Sequence, residues 1–252
     1  MTQQPDGAPV QPREDAAADA VVQSPDSDDR AATDGAYRQA VVDLLGVLAY
    51  GELTAFSRLA ADADLAPTLA AKAELGRMAV VEFRHFEQLR SRLEEIGADP
   101  QVAMEPFVAA VDAFHERTAP QTWLEGLVKA YVGDGIASDF YREISAFLDP
   151  ATHSLVTSVV KDSGHAAFVV REVRAAIETD AKVAGRLALW GRRLVGEALS
   201  QAQRVAADRD GLASLLVGSA TRPGADLGEL VRMFGRLTDG HTRRMAALGL
   251  TS

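Results

Sequence analysis

Cysteine is absent from these 252 residues. Its absence removes disulfides, thiolate nucleophiles, Cys-bound zinc and iron–sulfur clusters together. Aromatic residues reach only 6%, and β-branched residues nowhere alternate over a long run. Sheet therefore has no basis in the sequence, and the abundant Ala points to helix. No uninterrupted apolar run approaches the roughly 18 residues of a membrane span. No basic stretch followed by an apolar one marks a signal peptide, so a cytoplasmic setting and no membrane partner are expected. Positive charge is scarce as well: 26 Lys and Arg stand against 36 Asp and Glu, for a net charge of −10. Nonspecific nucleic-acid binding runs on basic surface, and this balance opposes it. Gly133-Asp134-Gly135 is no phosphate loop, because no strand precedes it and no Lys-Ser/Thr follows. No Ser sits in a glycine-flanked strand-to-helix turn, so nucleophilic hydrolysis has no candidate.

What is present suits one domain with a sizeable core plus appendages: 47% hydrophobic and 25% charged residues. Residues 1–34 read as a disordered acidic tail, with eight acids against Arg13 and Arg30 and few large apolar side chains. Residues 35–210 form the expected helical bundle, and residues 211–252 a linker and an amphipathic helix. Helices are expected from about Gly35 to Ala63 and from Pro67 to Gly97. A less regular stretch with Phe107, Phe114 and His115 follows. Further helices are expected over about Thr118–Asp149, Ala151–Ile177, Lys182–Arg209 and Asp226–Leu248, where apolar residues recur at spacings of three and four.

One stripe is interrupted in a telling way. Leu75, Met78, Glu82, His85, Leu89, Leu93 and Ile96 share a helix face, so a carboxylate and an imidazole stand where the pattern demands Leu. Burying either without a partner costs several kcal/mol. A metal ion gripped by both would compensate. Glu52 breaks the first helix's stripe of Val41, Leu45, Leu48, Ala55 and Leu59 in the same manner.

The arrangement repeats. Tyr50-Gly51-Glu52 is echoed by Val132-Gly133-Asp134, and Glu82-Phe83-Arg84-His85 by Asp162-Ser163-Gly164-His165. Each half offers a carboxylate on its first helix and an acid-x-x-His on its second, the inventory of a four-helix dinuclear site. Oxygen ligands with one imidazole per metal suit iron or manganese. The third-helix ligand has two candidates. Asp134 fits the repeat, whereas Asp139 lies within the stripe Val132, Ile136, Phe140 and Ile144. Among the other acids, Glu197 reads either as a group that supports the ligands from behind or as an Arg-paired group, and not as a ligand. Of the remaining histidines, His115 and His153 read as helix-end or solvent-facing, and His241 as surface.

On the segments Tyr50–Glu52, Glu82–His85, Tyr131–Gly135 and Asp162–His165, the sequence resembles the ferritin-like superfamily. Within it, the chain is similar to the actinobacterial group of di-iron tRNA hydroxylases. The resemblance covers about residues 36–210. It implies an all-α ferritin-like four-helix bundle, here with extra C-terminal helices, two irons and an O2-dependent hydroxylation or oxidation. The implied metal ligands are Glu52, Glu82, His85, Asp134 or Asp139, Asp162 and His165. The implied partners are O2, an organic substrate and an electron donor. Asp162 departs from the pattern, standing where Glu is usual. A non-catalytic metal-binding or interaction protein is the alternative, and a storage role would require a homo-oligomer. A tRNA partner would need a local basic cluster, for which Arg192, Arg193, Arg204, Arg232, Arg236, Arg243 and Arg244 are the candidates.

Overall fold

The computed structural model describes residues 25–160, 166–209, 211, 212, 215 and 227–252. It is all-α, with no strand among the described residues. Its helices are α1 (Pro25–Asp62), α2 (Leu69–Glu95), α3 (Pro100–Met104), α4 (Val108–Arg117), α5 (Trp123–Ser145), α6 (Pro150–Val159), α7 (Ala166–Thr179), α8 (Lys182–Asp208) and α9 (Leu227–Ala247). The helix α1 begins ten residues before the expected start at Gly35. The acidic segment read as a tail through residue 34 therefore contributes helix from Pro25 onward, and residues 1–24 lie outside the described residues. The expected single helix over Ala151–Ile177 is two, α6 and α7. The residues between them, 161–165, also lie outside the described residues, and they carry Asp162 and His165.

Side-chain caps set the boundaries. Thr68 accepts from Ala71 N at 3.1 Å and starts α2 one residue beyond Pro67. Thr122 caps α5, and Glu125 reaches back to accept from Gln121 N at 2.7 Å, so both side chains satisfy donors that a helix start leaves open. Asp99-Pro100 and Asp149-Pro150 repeat one device, a capping carboxylate followed by a proline at the first helical position.

The long helices α1 and α2 pack side by side as an antiparallel pair, as their short connection requires. Their apolar faces divide into two clusters. One joins Leu59, Leu75 and Met78 to the N-terminal half of α5 and to α7, α8 and α9. The other joins Leu44, Leu45, Leu48, Phe86, Leu89 and Leu93 to Ile144 and α6. Glu52, Glu82 and His85 fall between the two. Near the middle of α1, Gly46 lies so close to the Ala103 carbonyl that no Cβ would fit.

Averaged hydropathy changes one expectation. Gly35–Leu65 holds a window of mean hydropathy 1.4, enough by length and composition to cross a membrane. Half of that window is buried inside the protein, and Asp43 and Glu52 are built into its inner face. Its apolarity is that of a core helix.

Candidate metal centre

Glu52 comes from α1, and Glu82 and His85 from successive turns of α2. One ligand atom of each lies within 4.8 Å of the other two. His85 Nδ1 stands 3.5 Å from Glu52 Oε2 and 3.6 Å from Glu82 Oε2, with all three side chains less than a fifth exposed. Those separations lie just beyond good hydrogen-bond length. Glu52 Oε2 is fully occluded and has no hydrogen-bond partner within normal length among the described residues. Burial pushes the Glu52 carboxyl well above its ordinary range; His85 opposes that rise and Glu82 adds to it. Burial alone would lower the His85 imidazole, but Glu52 and Glu82 together outweigh it and lift it to about 10. Two carboxylates thus converge on one imidazole, whose bound proton supplies the positive charge between them.

Burial by itself does not make this site unusual. Asp43, also on α1, is only 4% exposed, yet Gln39 donates to it at 2.9 Å and Arg209 stands 3.8 Å away. Glu52 has no such amide or guanidinium donor among the described residues, and its nearest cationic group is the His85 imidazole at 3.5 Å. Donor atoms bound to one ion at about 2.1 Å sit roughly 3–4 Å apart, close to the spacing found here. The donor set of two carboxylates and one imidazole fits iron, manganese or zinc.

The other candidate ligands are placed as follows. Asp139 is held by two guanidiniums, Arg142 at 2.9 Å and Arg244 at 2.7 Å. Asp134 is exposed on α5. Neither belongs to the Glu52–Glu82–His85 group, which is the cluster of metal-ligating type among the described residues. Asp162 and His165 lie outside those residues. Glu197 pairs with Arg117 at 3.4 Å, as expected of a non-ligand. His153 is exposed, with Nδ1 2.7 Å from the Ser145 carbonyl. His115 lies in the last turn of α4, the helix-end position expected of it, but its Nδ1, like that of His241, is occluded and has no hydrogen-bond partner among the described residues. The helix faces that carry them, read as solvent-facing, pack against neighbouring helices.

Around the centre, Tyr141 of α5 has its hydroxyl pushed above its ordinary range, first by burial and then by the charge of Glu52. Tyr50 points elsewhere and donates to Asp112 at 2.9 Å. Phe56 and Phe86 lie one turn beyond Glu52 and Glu82, and both stack against Phe83, with ring centroids 5.1 and 5.7 Å apart. Phe83 remains 39% exposed. This aromatic wall was missed in the sequence, although the Glu-Phe-x-His-Phe spacing carries it.

The sequence profile of a family described as "Ferritin-like domain, actinomycetes" matches residues 35–219. None of the curated proteins matches in sequence. Among solved structures, one similar to this chain is a Synechococcus protein described as having aldehyde deformylating oxidase activity. It is 20% identical, with a TM-score of 0.65 over 85% of this chain and 92% of that one.

Proposed function

This chain belongs to the family of actinomycete ferritin-like domains, and from that membership and the geometry of its centre we propose that it is a non-haem iron oxidoreductase. Its reaction would be the O2-dependent oxidation of a small organic substrate. The observation that carries the reading is the convergence of Glu52, Glu82 and His85, with Glu52 Oε2 occluded and 3.5 Å from the imidazole. These three side chains would hold one iron. A second iron, completing the pair, would take its ligands from the later helices. The acid of α5 proposed for that role is Asp134, which repeats the placing of Glu52 in the first half of the chain, with Asp162 and His165 as its partners. Bound iron would supply oxidation chemistry that side chains cannot perform alone.

The protein's own contribution is orientation, dryness and proton placement. Glu52 and Glu82 hold a proton on His85 Nδ1 until a cation replaces it. The Tyr141 hydroxyl, raised by burial and by the charge of Glu52, keeps its proton at neutral pH. Phe56, Phe83 and Phe86 keep water from one flank and offer apolar surface to a substrate. The activity named for the Synechococcus protein makes an aldehyde the first class to try.

The test is anaerobic titration of the purified full-length protein with ferrous iron, followed by O2 uptake with a reductant and aldehyde present. About two irons per chain are expected, with most binding lost in Glu52→Ala and His85→Ala. Full iron retention in both variants would overturn the centre. Iron binding without O2 uptake would favour the non-catalytic alternative.

A further inference from the structure

Where α8 packs against α4, a cleft of about 230 Å3 opens that nothing described so far uses. Its apolar wall is Pro106 and Phe107, just before α4, with Ala109 and Ala110 in its first turn and Val205 of α8 beside them. A cavity of about 150 Å3 holds benzene, so this one has room for a ring and a short arm. Two guanidiniums complete the lining. Arg204 is exposed and has no hydrogen-bond or ion-pair partner among the described residues. Arg209 stands with Cζ 5.9 Å from the Phe107 ring centroid and Nη1 3.8 Å from Asp43, beyond hydrogen-bond length. Phe107 and Asp43 thus hold the guanidinium in place without using its donors. One further residue belongs to this face. Gln201, Arg204, Val205 and Asp208 recur at spacings of three and four along α8. Gln201 is 5% exposed, and its Nε2 and Oε1 are both occluded with no hydrogen-bond partner among the described residues. A face built only to pack would carry Leu there, because a buried amide without partners is destabilising.

We propose that this cleft binds a small organic monoanion, a carboxylate on a ring-sized apolar body with a hydroxyl at the far end. Arg204 and Arg209 take the carboxylate, since guanidinium forks match its geometry. The ring lies along the Pro106–Ala110 wall, and the hydroxyl, both donor and acceptor, gives the Gln201 carboxamide its partner. Asp208 lines the cleft and is exposed; its charge opposes a second negative charge on the ligand, which disfavours phosphate and dicarboxylates. The site is separate from the metal centre, for Asp43 and Glu52 stand about 14 Å apart along α1.

The test is calorimetric titration of the metal-free, full-length protein, with chelator present, using para-hydroxyphenylacetate as the probe. Saturable binding with a Kd of about 0.1–1 mM is expected for a ligand of this size. The same ring without its carboxylate, para-cresol, should bind about tenfold more weakly, and inorganic phosphate should not compete. Arg204→Gln, at an exposed position, should weaken the probe about tenfold. Ala109→Phe fills the cleft from the exposed side of α4 and should abolish binding. Gln201→Leu should weaken the probe several-fold while raising the urea midpoint of the ligand-free protein, the opposite of what loss of a structural hydrogen bond would do. Absence of saturable binding up to about 5 mM, phosphate binding as tight as the probe, or unchanged affinity in both Arg204→Gln and Ala109→Phe would overturn the proposal. Because the experiment contains no iron, its outcome is independent of the metal centre.

Discussion

At the scale of single residues, the useful distinction is between buried charge that is compensated and buried charge that is not. Asp139 and Glu52 both interrupt apolar stripes. Asp139 is answered by Arg142 and Arg244, whereas Glu52 faces only another carboxylate and an imidazole. The two α5 acids should therefore respond differently to loss of charge. Asp134→Asn is expected to lower iron content, measured by elemental analysis, more than Asp139→Asn does. Asp139→Asn should instead lower the melting temperature, since it leaves two guanidiniums short of a partner. The opposite ranking in iron content would return Asp139 to the ligand set. His115 gives a pH prediction. Its folded pKa, about 3, lies below the unfolded value of about 6.5, so the unfolded chain binds more protons between those limits. The stability it contributes is complete above pH 6.5 and is lost as pH falls toward 3, by at most about 1.4 kcal/mol per pH unit. Urea unfolding of His115→Leu between pH 4 and 6.5 should show a shallower slope than the parent; an unchanged slope would mean that His115 is not buried as described.

At the scale of elements, α9 is joined to the bundle by polar contacts along α5. Arg236 grips Glu143 through two bonds of 2.7 Å, and Arg244 reaches Asp139 beside Gly135. Gly240 lies against the Asp139 carboxylate with no room for a Cβ. Gly240→Ala should therefore cost about 1–3 kcal/mol through overpacking, read as a lower urea midpoint together with faster proteolysis near the C-terminus. An unaltered midpoint would mean that α9 is not seated on α5 in this register. None of this was legible in the sequence, because the apolar stripe of α9 announces only that some partner exists, and its glycines look like helix weaknesses. The pairing of α1 with α2 was legible, since short connections and complementary stripes leave long helices one arrangement. The break between α6 and α7 was not: apolar spacing runs on through both flanks, and the pattern fixes a face rather than continuity. Helix starts shifted by a few residues wherever Thr68 or Thr122 outcompeted a nearby proline as the boundary.

At the scale of the whole molecule, the bundle and the Glu52–Glu82–His85 face could be read from periodicity alone, because polar residues on an apolar stripe stand out in any register. Long-range charge could not be read that way, since pairing between helices depends on the packing. The arginines that might have met a polyanion illustrate this. Arg193 donates to the Arg117 carbonyl and stacks on Trp190. Arg232 and Arg236 are matched by Glu229 and Glu143, and Arg244 by Asp139. Arg192 donates to the Thr251 carbonyl, so five of the seven candidate arginines spend their cationic heads within the protein, which as a whole carries −10. Each phosphate contact normally requires such a head, free to displace counterions. The expected result of titrating the full-length protein with bulk tRNA is therefore weak binding at about 50 mM salt, with no steep loss toward about 200 mM. Arg192→Glu together with Arg204→Glu, at two exposed positions, should leave that baseline unchanged. Tight binding that collapses with salt and is abolished by those two substitutions would show that the local field at α8 overrides the global charge, and would make a tRNA the substrate to pursue ahead of a small molecule.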